Sequence, residues 1–417
     1  MPFPARFTAQ PAASTRTALV AALAILLAAA AWPARAAAQR VDTNPLNRDP
    51  QVRKAFADFY KLDYARALTQ FERVQAAHPT DPIATDYVLY VTLFQELFRL
   101  DLLDTTFYAN DGFLTGKHTV VEDPKVRDRV KALAGRAIDE ANTRLEKNPK
   151  DVDALFARGW AKSLEATYDA MVERSFVSAL KLASSAKNDC EDVLDADPNY
   201  VDAKLITGIY QYTVGALPFG FKLLVGFVGI HGSKTQGMAL LRDSANRGVI
   251  TSVESRTVMA LFLRRDAKYK RALAIDEALA AEYPRNFLFC LERANVSKDA
   301  GQGMKAVALY EELIRQAQRP GYFPSAHLEL AYFGLGASLR GQHLYQESVD
   351  AFREGAFQPT TSPELKRRSL LAAGEVYDLM HQHDKAQQQY EAVIRAGRNT
   401  TQGDLAHKYL VDAYTGK

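Results

Sequence analysis

The chain has 417 residues, 47% hydrophobic, 24% charged and 10% aromatic, which is more than one ordinary domain needs unless the fold grows by repetition. That composition excludes a disordered chain and a polytopic membrane protein, and two cysteines exclude a disulfide-built scaffold. The formal charge of +3 comes from Arg6, Arg16 and Arg35; beyond residue 38 there are 49 basic against 49 acidic residues, so nothing points to nucleic acid as a partner.

The first element in chain order is an address. Arg6 and Arg16 precede an apolar run over residues 18–31, and small residues follow at Ala34, Ala36 and Ala38. A charged start, an apolar core and an A-x-A-like exit make residues 1–38 a secretory signal, too short and too rich in alanine for a comfortable membrane span. Alanine- and arginine-heavy usage suggests a bacterial source, so the expected location is the periplasm or another part of the envelope. Residues 39–50 read as a linker. In an oxidising compartment Cys190 and Cys290 need an account; both lie in apolar helical patterns, 100 residues apart, and read as two separate buried thiols.

From residue 51 onward apolar residues recur at i, i+3, i+4 and i+7, as in Leu328, Ala331, Leu335 and Leu339, and almost nothing alternates with period two. The chain is therefore expected to be all-α. Breaks fall at Asp81-Pro82, Asn148-Pro149, Asp197-Pro198-Asn199 and Tyr283-Pro284. Small residues stand at a fixed distance before a proline: Ala67 and Pro79, Ala137 and Pro149, Ala186 and Pro198, Ala272 and Pro284, always 12 apart. Gly336 leads to Phe352 and Gly374 to Tyr390, each at 16.

In these spacings the chain resembles the tetratricopeptide repeat family over roughly residues 50–415. The clearest copies are Leu335-Gly336 with Tyr345 and Phe352, and Leu370 and Gly374 with Tyr377, Ala386 and Tyr390; Asp63-Tyr64 with Ala67, Phe71 and Pro79 follows closely. The resemblance implies a right-handed superhelical solenoid of antiparallel helix hairpins. Small residues let the two helices approach, a large aromatic fills the gap towards the next hairpin, and proline ends the second helix.

Two hairpins depart from the period. A regular repeat places 12 residues between the glycine and the small residue of the second helix, as from Gly336 to Ser348. Gly159 to Ala186 takes 27 and Gly208 to Gly237 takes 29. A third insertion covers about residues 101–124. The expected organisation is residues 51–250 as hairpins with long insertions and residues 251–417 as a regular array. Inserted segments on a solenoid usually map to one face.

The least ordinary stretch, residues 213–237, is apolar from 214 to 230 apart from Lys222 and contains four glycines in that span. It reads either as a buried connector or as a surface where Phe219, Phe221 and Phe227 meet a lipid or apolar ligand. It is not a phosphate loop, because Ser233 separates Gly232 from Lys234 and no strand precedes it. The order Leu217-Pro218, Gly226-Phe227-Val228-Gly229, Gln236-Gly237-Met238 and Leu240-Leu241 resembles the inclusion-body-clearance family and its tetratricopeptide relatives. That resemblance covers about 30 residues and implies a non-enzymatic role linked to lipid droplets. The family's charged pair after the second glycine is replaced by residues 230–234.

No motif carries chemistry. None of the eight histidines has metalloprotease spacing, there is no Cys-x-x-Cys and no G-x-S-x-G, and acid pairs such as Glu311-Glu312 suit solvated helix faces. His381-Gln382-His383 reads as a solvated turn. No catalytic residue, metal ligand or cofactor is assigned. The expected function is non-enzymatic capture of a protein or peptide in the envelope, with Arg158, Lys162, Thr207 and Gln211 facing the groove by repeat phase. The alternative is a periplasmic carrier or accessory protein that shields a lipid or apolar small molecule for a transporter.

Overall fold

The computed structural model describes residues 41–108, 120–217 and 231–416. Val41–Lys417 form one compact unit. Its described residues contain no strand, and 17 α-helices follow one another as hairpins: α1 (Pro50–Phe59) with α2 (Tyr64–Ala77), α3 (Pro82–Arg99) with α4 (Pro124–Lys147), α5 (Val152–Met171) with α6 (Phe176–Ala196), and α7 (Ala203–Ala216) with α8 (Lys234–Arg247). The array continues with α9 (Ser252–Arg265) and α10 (Tyr269–Glu282), α11 (Phe287–Asp299) and α12 (Gly303–Ala317), α13 (Leu328–Gly341) and α14 (Tyr345–Ala356), α15 (Pro363–Leu379) and α16 (His383–Gly397), closed by α17 (Thr401–Val411).

The breaks read from the sequence are helix caps. Asp81 accepts a backbone N–H at the start of α3, with Pro82 at the first helical position, where a missing N–H costs nothing. Asn148, Asp197 and Tyr283 cap the C-termini of α4, α6 and α10. Asp123 and Pro124, which were not among those breaks, repeat the first arrangement at the start of α4. Within hairpins the first helix ends on a left-handed residue two positions before the second helix begins: Leu62, Arg174, Ala267, Gly301, His343 and His381, with φ between 55° and 75°. Only one of these six is glycine, so this recurring turn left no glycine signature in the sequence.

Each helix packs on the next, and first helices also touch one another (α3 on α5, α5 on α7, α11 on α13, α13 on α15), so first helices form the inner layer and second helices the outer. A Cβ on Gly159 would lie 3.1 Å from the Ala186 carbonyl, and one on Gly208 would lie 3.1 Å from the Gly237 carbonyl. The small residues paired across 27 and 29 positions are thus the true helix contacts. The excess has two different sources: α5 and α6 are lengthened helices of 20 and 21 residues, whereas α7 and α8 have 14 residues each and the excess lies in the connector between them. Phe352 and Tyr390 lie on Gly336 and Gly374 of their own hairpins, while Tyr310 of α12 lies on Gly334 of the following hairpin; the aromatic fills space inside a hairpin as well as between hairpins.

The solenoid bends back on itself. One apolar core runs from Val52 to Leu365 and joins α1–α7 to α10–α15, and a second unites α13–α17. Helix α3 sits at the centre, with 15 of its 18 residues buried. Residues 41–49, expected as a linker, are anchored instead: the Asp42 N–H donates to the Asn199 carbonyl, Tyr200 Oη accepts the Asn44 N–H, and Thr43 donates to Asp202. Cys190 and Cys290 are unpaired and buried.

Candidate binding surface

The interior that an open solenoid would offer to a ligand is taken up by the chain's own first hairpins, joined to the later helices by three polar clasps. Tyr60 of the α1–α2 turn and Tyr90 of α3 both donate to Glu254 Oε1 on α9, and the Asn286 amide at the start of α11 donates to the Tyr60 carbonyl at 3.0 Å. Arg264 of α9, with its side chain 1% exposed, donates to Glu292 of α11 at 3.1 Å, to Asp299 at 2.6 Å and to Thr105 beyond α3 at 2.6 Å. Asn295 links the same network to Asp104 at 3.3 Å and accepts from Tyr310 at 2.5 Å. Third, His327, the residue before α13, meets Asp101, which follows α3 in left-handed conformation.

Burial sets the protonation of these groups. It raises the Glu254 carboxyl above its ordinary range, and the Tyr60 and Tyr90 donors only partly offset it. Burial pushes Asp86 of α3 well up, and the charges of Glu140 and Asp81 push the same way; both its oxygens lack a hydrogen-bond partner, as fits a neutral acid. On Arg264 burial opposes the charge, but Glu292 and Asp299 outweigh it and the pKa rises.

Arg158 and Lys162 point sideways within their hairpin. Arg158 donates to Asp189 of α6 at 2.6 Å and to Asn142 of α4 at 2.9 Å, and Lys162 donates to Asp189 at 2.6 Å. Thr207 is buried, with its hydroxyl on the Ala203 carbonyl at 3.3 Å, and the Gln211 side chain accepts the Ser233 N–H at 3.1 Å. The structure therefore brings Arg158 and Lys162 together on one carboxylate, and sets Thr207 and Gln211 one helical turn apart on α7. Phe219, Phe221 and Phe227 lie outside the described residues.

A different phase lines the interior: three before, one after and four after the small residue of each first helix. Around Gly159 these include Phe156 and Trp160, both buried, with Trp160 5.5 Å from the Tyr90 ring. Around Ala260 and Ala294 they include Arg264 and Asn295, the clasp residues. Around Gly336 they are Phe333, Ala337 and Arg340, all half-buried. There the inner wall stays accessible: Arg368 of α15 lies over the Phe333 ring at 4.7 Å, and Arg340 pairs with Glu375 at 2.7 Å with its side chain 33% exposed. A stripe carrying the Phe333 ring and the Arg340–Glu375 pair on α13 and α15 is suited to an extended peptide with polar and acidic groups. His383, read as a solvated turn residue, in fact pairs with buried Asp378 at 2.6 Å.

The clasp residues had no local signal. Asp101 and His327 are 226 positions apart, and Glu254, Arg264 and Glu292 read as ordinary polar positions of amphipathic helices. Hairpins packed through the spaced small residues define a tetratricopeptide-like repeat protein. No family model and no curated protein matches the chain. Among solved structures it is similar to a chain of the APC/C hetero-tetramer Cut9–Hcn1, at 12% identity over 89% of this chain and 57% of that one, with a TM-score of 0.49. Yeast Tom70 aligns at 10% identity over 87% of each chain with a TM-score of 0.41. A tetratricopeptide repeat protein from Parabacteroides merdae aligns at 14% identity over 78% of this chain and 97% of that one, with a TM-score of 0.34. The chain thus spans little more than half the length of the first of these.

Proposed function

We propose that the chain is a non-enzymatic scaffold that captures a protein or peptide partner in the cell envelope, with the inner wall of α13 and α15 as its docking surface. One observation carries the reading: the interior positions of the earlier first helices are filled by the chain's own α1–α3 and residues 101–108, whereas Phe333, Ala337 and Arg340 remain half-exposed beside Arg368 and Glu375. A preordered wall of this kind binds an extended segment without first ordering itself. Export rests on residues 1–38, which lie outside the described residues.

The test compares proteins cross-linked in the envelope to the wild-type chain and to Phe333→Ala and Arg340→Glu variants. A partner captured by the wild type and lost from both variants, at unchanged helical circular dichroism, is the expected result. A partner set indifferent to both substitutions refutes this docking surface. Intact mass of the envelope-purified chain tests export: a mass retaining residues 1–38 overturns the signal reading. The carrier alternative rests on the sequence of residues 217–230, and no described feature adds to it.

A further inference from the structure

We propose that Asp101, His327 and Glu329 form a binding site for a divalent transition-metal cation of the zinc class, which ties the segment after α3 to the first turn of α13. One ligand atom from each lies within 4.8 Å of the others, and all three residues are buried. His327 Nδ1 is 2.6 Å from Asp101 Oδ1 and 3.2 Å from Glu329 Oε1, so a single nitrogen serves as the centre on which both carboxylates converge. An imidazole nitrogen with two carboxylates selects zinc and its neighbours over magnesium or calcium, which prefer oxygen alone.

Two further observations favour a cation over the ion pair by itself. Asp101 Oδ2 has no hydrogen-bond partner although its side chain is 2% exposed, and Glu329 Oε1 has no hydrogen-bond partner, meeting only the imidazole edge. The ion pair therefore leaves an interior carboxylate oxygen unsatisfied, which a dication or its bound water would satisfy. The ligands are also braced from behind. The Thr360 hydroxyl donates to Glu329 Oε2 at 2.6 Å, and the Phe98 ring lies 4.1 Å from the His327 ring. Outer contacts of this kind hold a first-shell ligand in orientation. Two carboxylates and a neutral imidazole carry two negative charges, which one dication cancels; the nearby Arg368 charge acts on Asp104 and Glu364 as well as on Asp101.

Binding replaces a proton. Zinc bonds of about 2.0–2.2 Å place tetrahedral ligand atoms roughly 3.4 Å apart, so Asp101 retreats by somewhat less than 1 Å as the Nδ1 proton leaves.

The experiment titrates zinc chloride into the full chain, stripped with EDTA, by calorimetry at pH 7. Expected are one site and at least tenfold weaker binding in Asp101→Asn and His327→Gln. His383→Ala, at the other imidazole–carboxylate pair, should bind as the wild type does. A second readout needs no variant: the wild-type melting temperature should rise with zinc and not with magnesium. Absence of both zinc heat and a zinc-dependent melting shift overturns the site, as does binding lost in His383→Ala but kept in His327→Gln.

Discussion

The interlock of glycine and aromatic ring predicts that Gly374→Ala destabilises the chain even though alanine is the better helix former. Gly374 lies inside α15, where alanine should gain about 1 kcal/mol of helix propensity. Its Cβ would stand 2.4 Å from Tyr390 Cε1, so the ring must retreat by about 1 Å to reach ordinary contact. The ring is not free to do so, because its hydroxyl donates to Asp378 Oδ2 at 2.7 Å and both residues are buried. Overpacking costs about 1–3 kcal/mol and loss of a hydrogen bond to a charged group about 1.5–3 kcal/mol. Against the propensity gain, the two together give a net loss of about 1.5–5 kcal/mol. Gly135→Ala is the control: Gly135 sits inside α4 with no atom within 4 Å of a new Cβ, so alanine should stabilise by about 0.5–1 kcal/mol. Urea unfolding of both variants decides the matter. A Gly374→Ala chain as stable as the wild type would refute the argument that the 16-residue spacing reports a physical interlock.

Arg264→Ala should cost about 3–5 kcal/mol in urea unfolding, because it strands the buried Glu292 and releases Thr105 from α9. Ala267→Gly should stabilise by about 0.5–1 kcal/mol, since Ala267 is exposed and holds φ 56°, and a lower stability would argue against the left-handed turn. In EDTA, the raised His327 pKa supplies stability that is complete below its unfolded value near 6.5 and lost as pH rises through about 9, a change of about 3 kcal/mol. His327→Ala should flatten the melting temperature over that window; an unchanged slope would assign the effect elsewhere. The raised Glu254 and Asp86 carboxyls act in the same direction at lower pH, adding stability that falls as pH climbs above about 4.

Local physics made much of the fold legible. Close approach of two helices needs small residues at matching heights, so Gly159 with Ala186 and Gly208 with Gly237 could be paired across irregular gaps, and the structure places each pair in contact. The source of those gaps was not legible, because a lengthened helix and an inserted connector add the same number of residues. The left-handed turns were equally silent: Leu62, Ala267 and His343 adopt them without glycine, held by the packing of the helices on either side.

The sequence by itself determined the hairpin repeat and the breaks at Pro82, Pro149, Pro198 and Pro284, because each follows from contacts between residues a few dozen positions apart. The tertiary structure alone decided that the solenoid closes around α3 and that Glu254, Arg264 and His327 meet partners from the first hairpins. It also decided that Phe333 and Arg340 keep an accessible wall. Superhelical curvature is the sum of small rotations at every helix interface, so no single spacing records where two residues 226 positions apart come together.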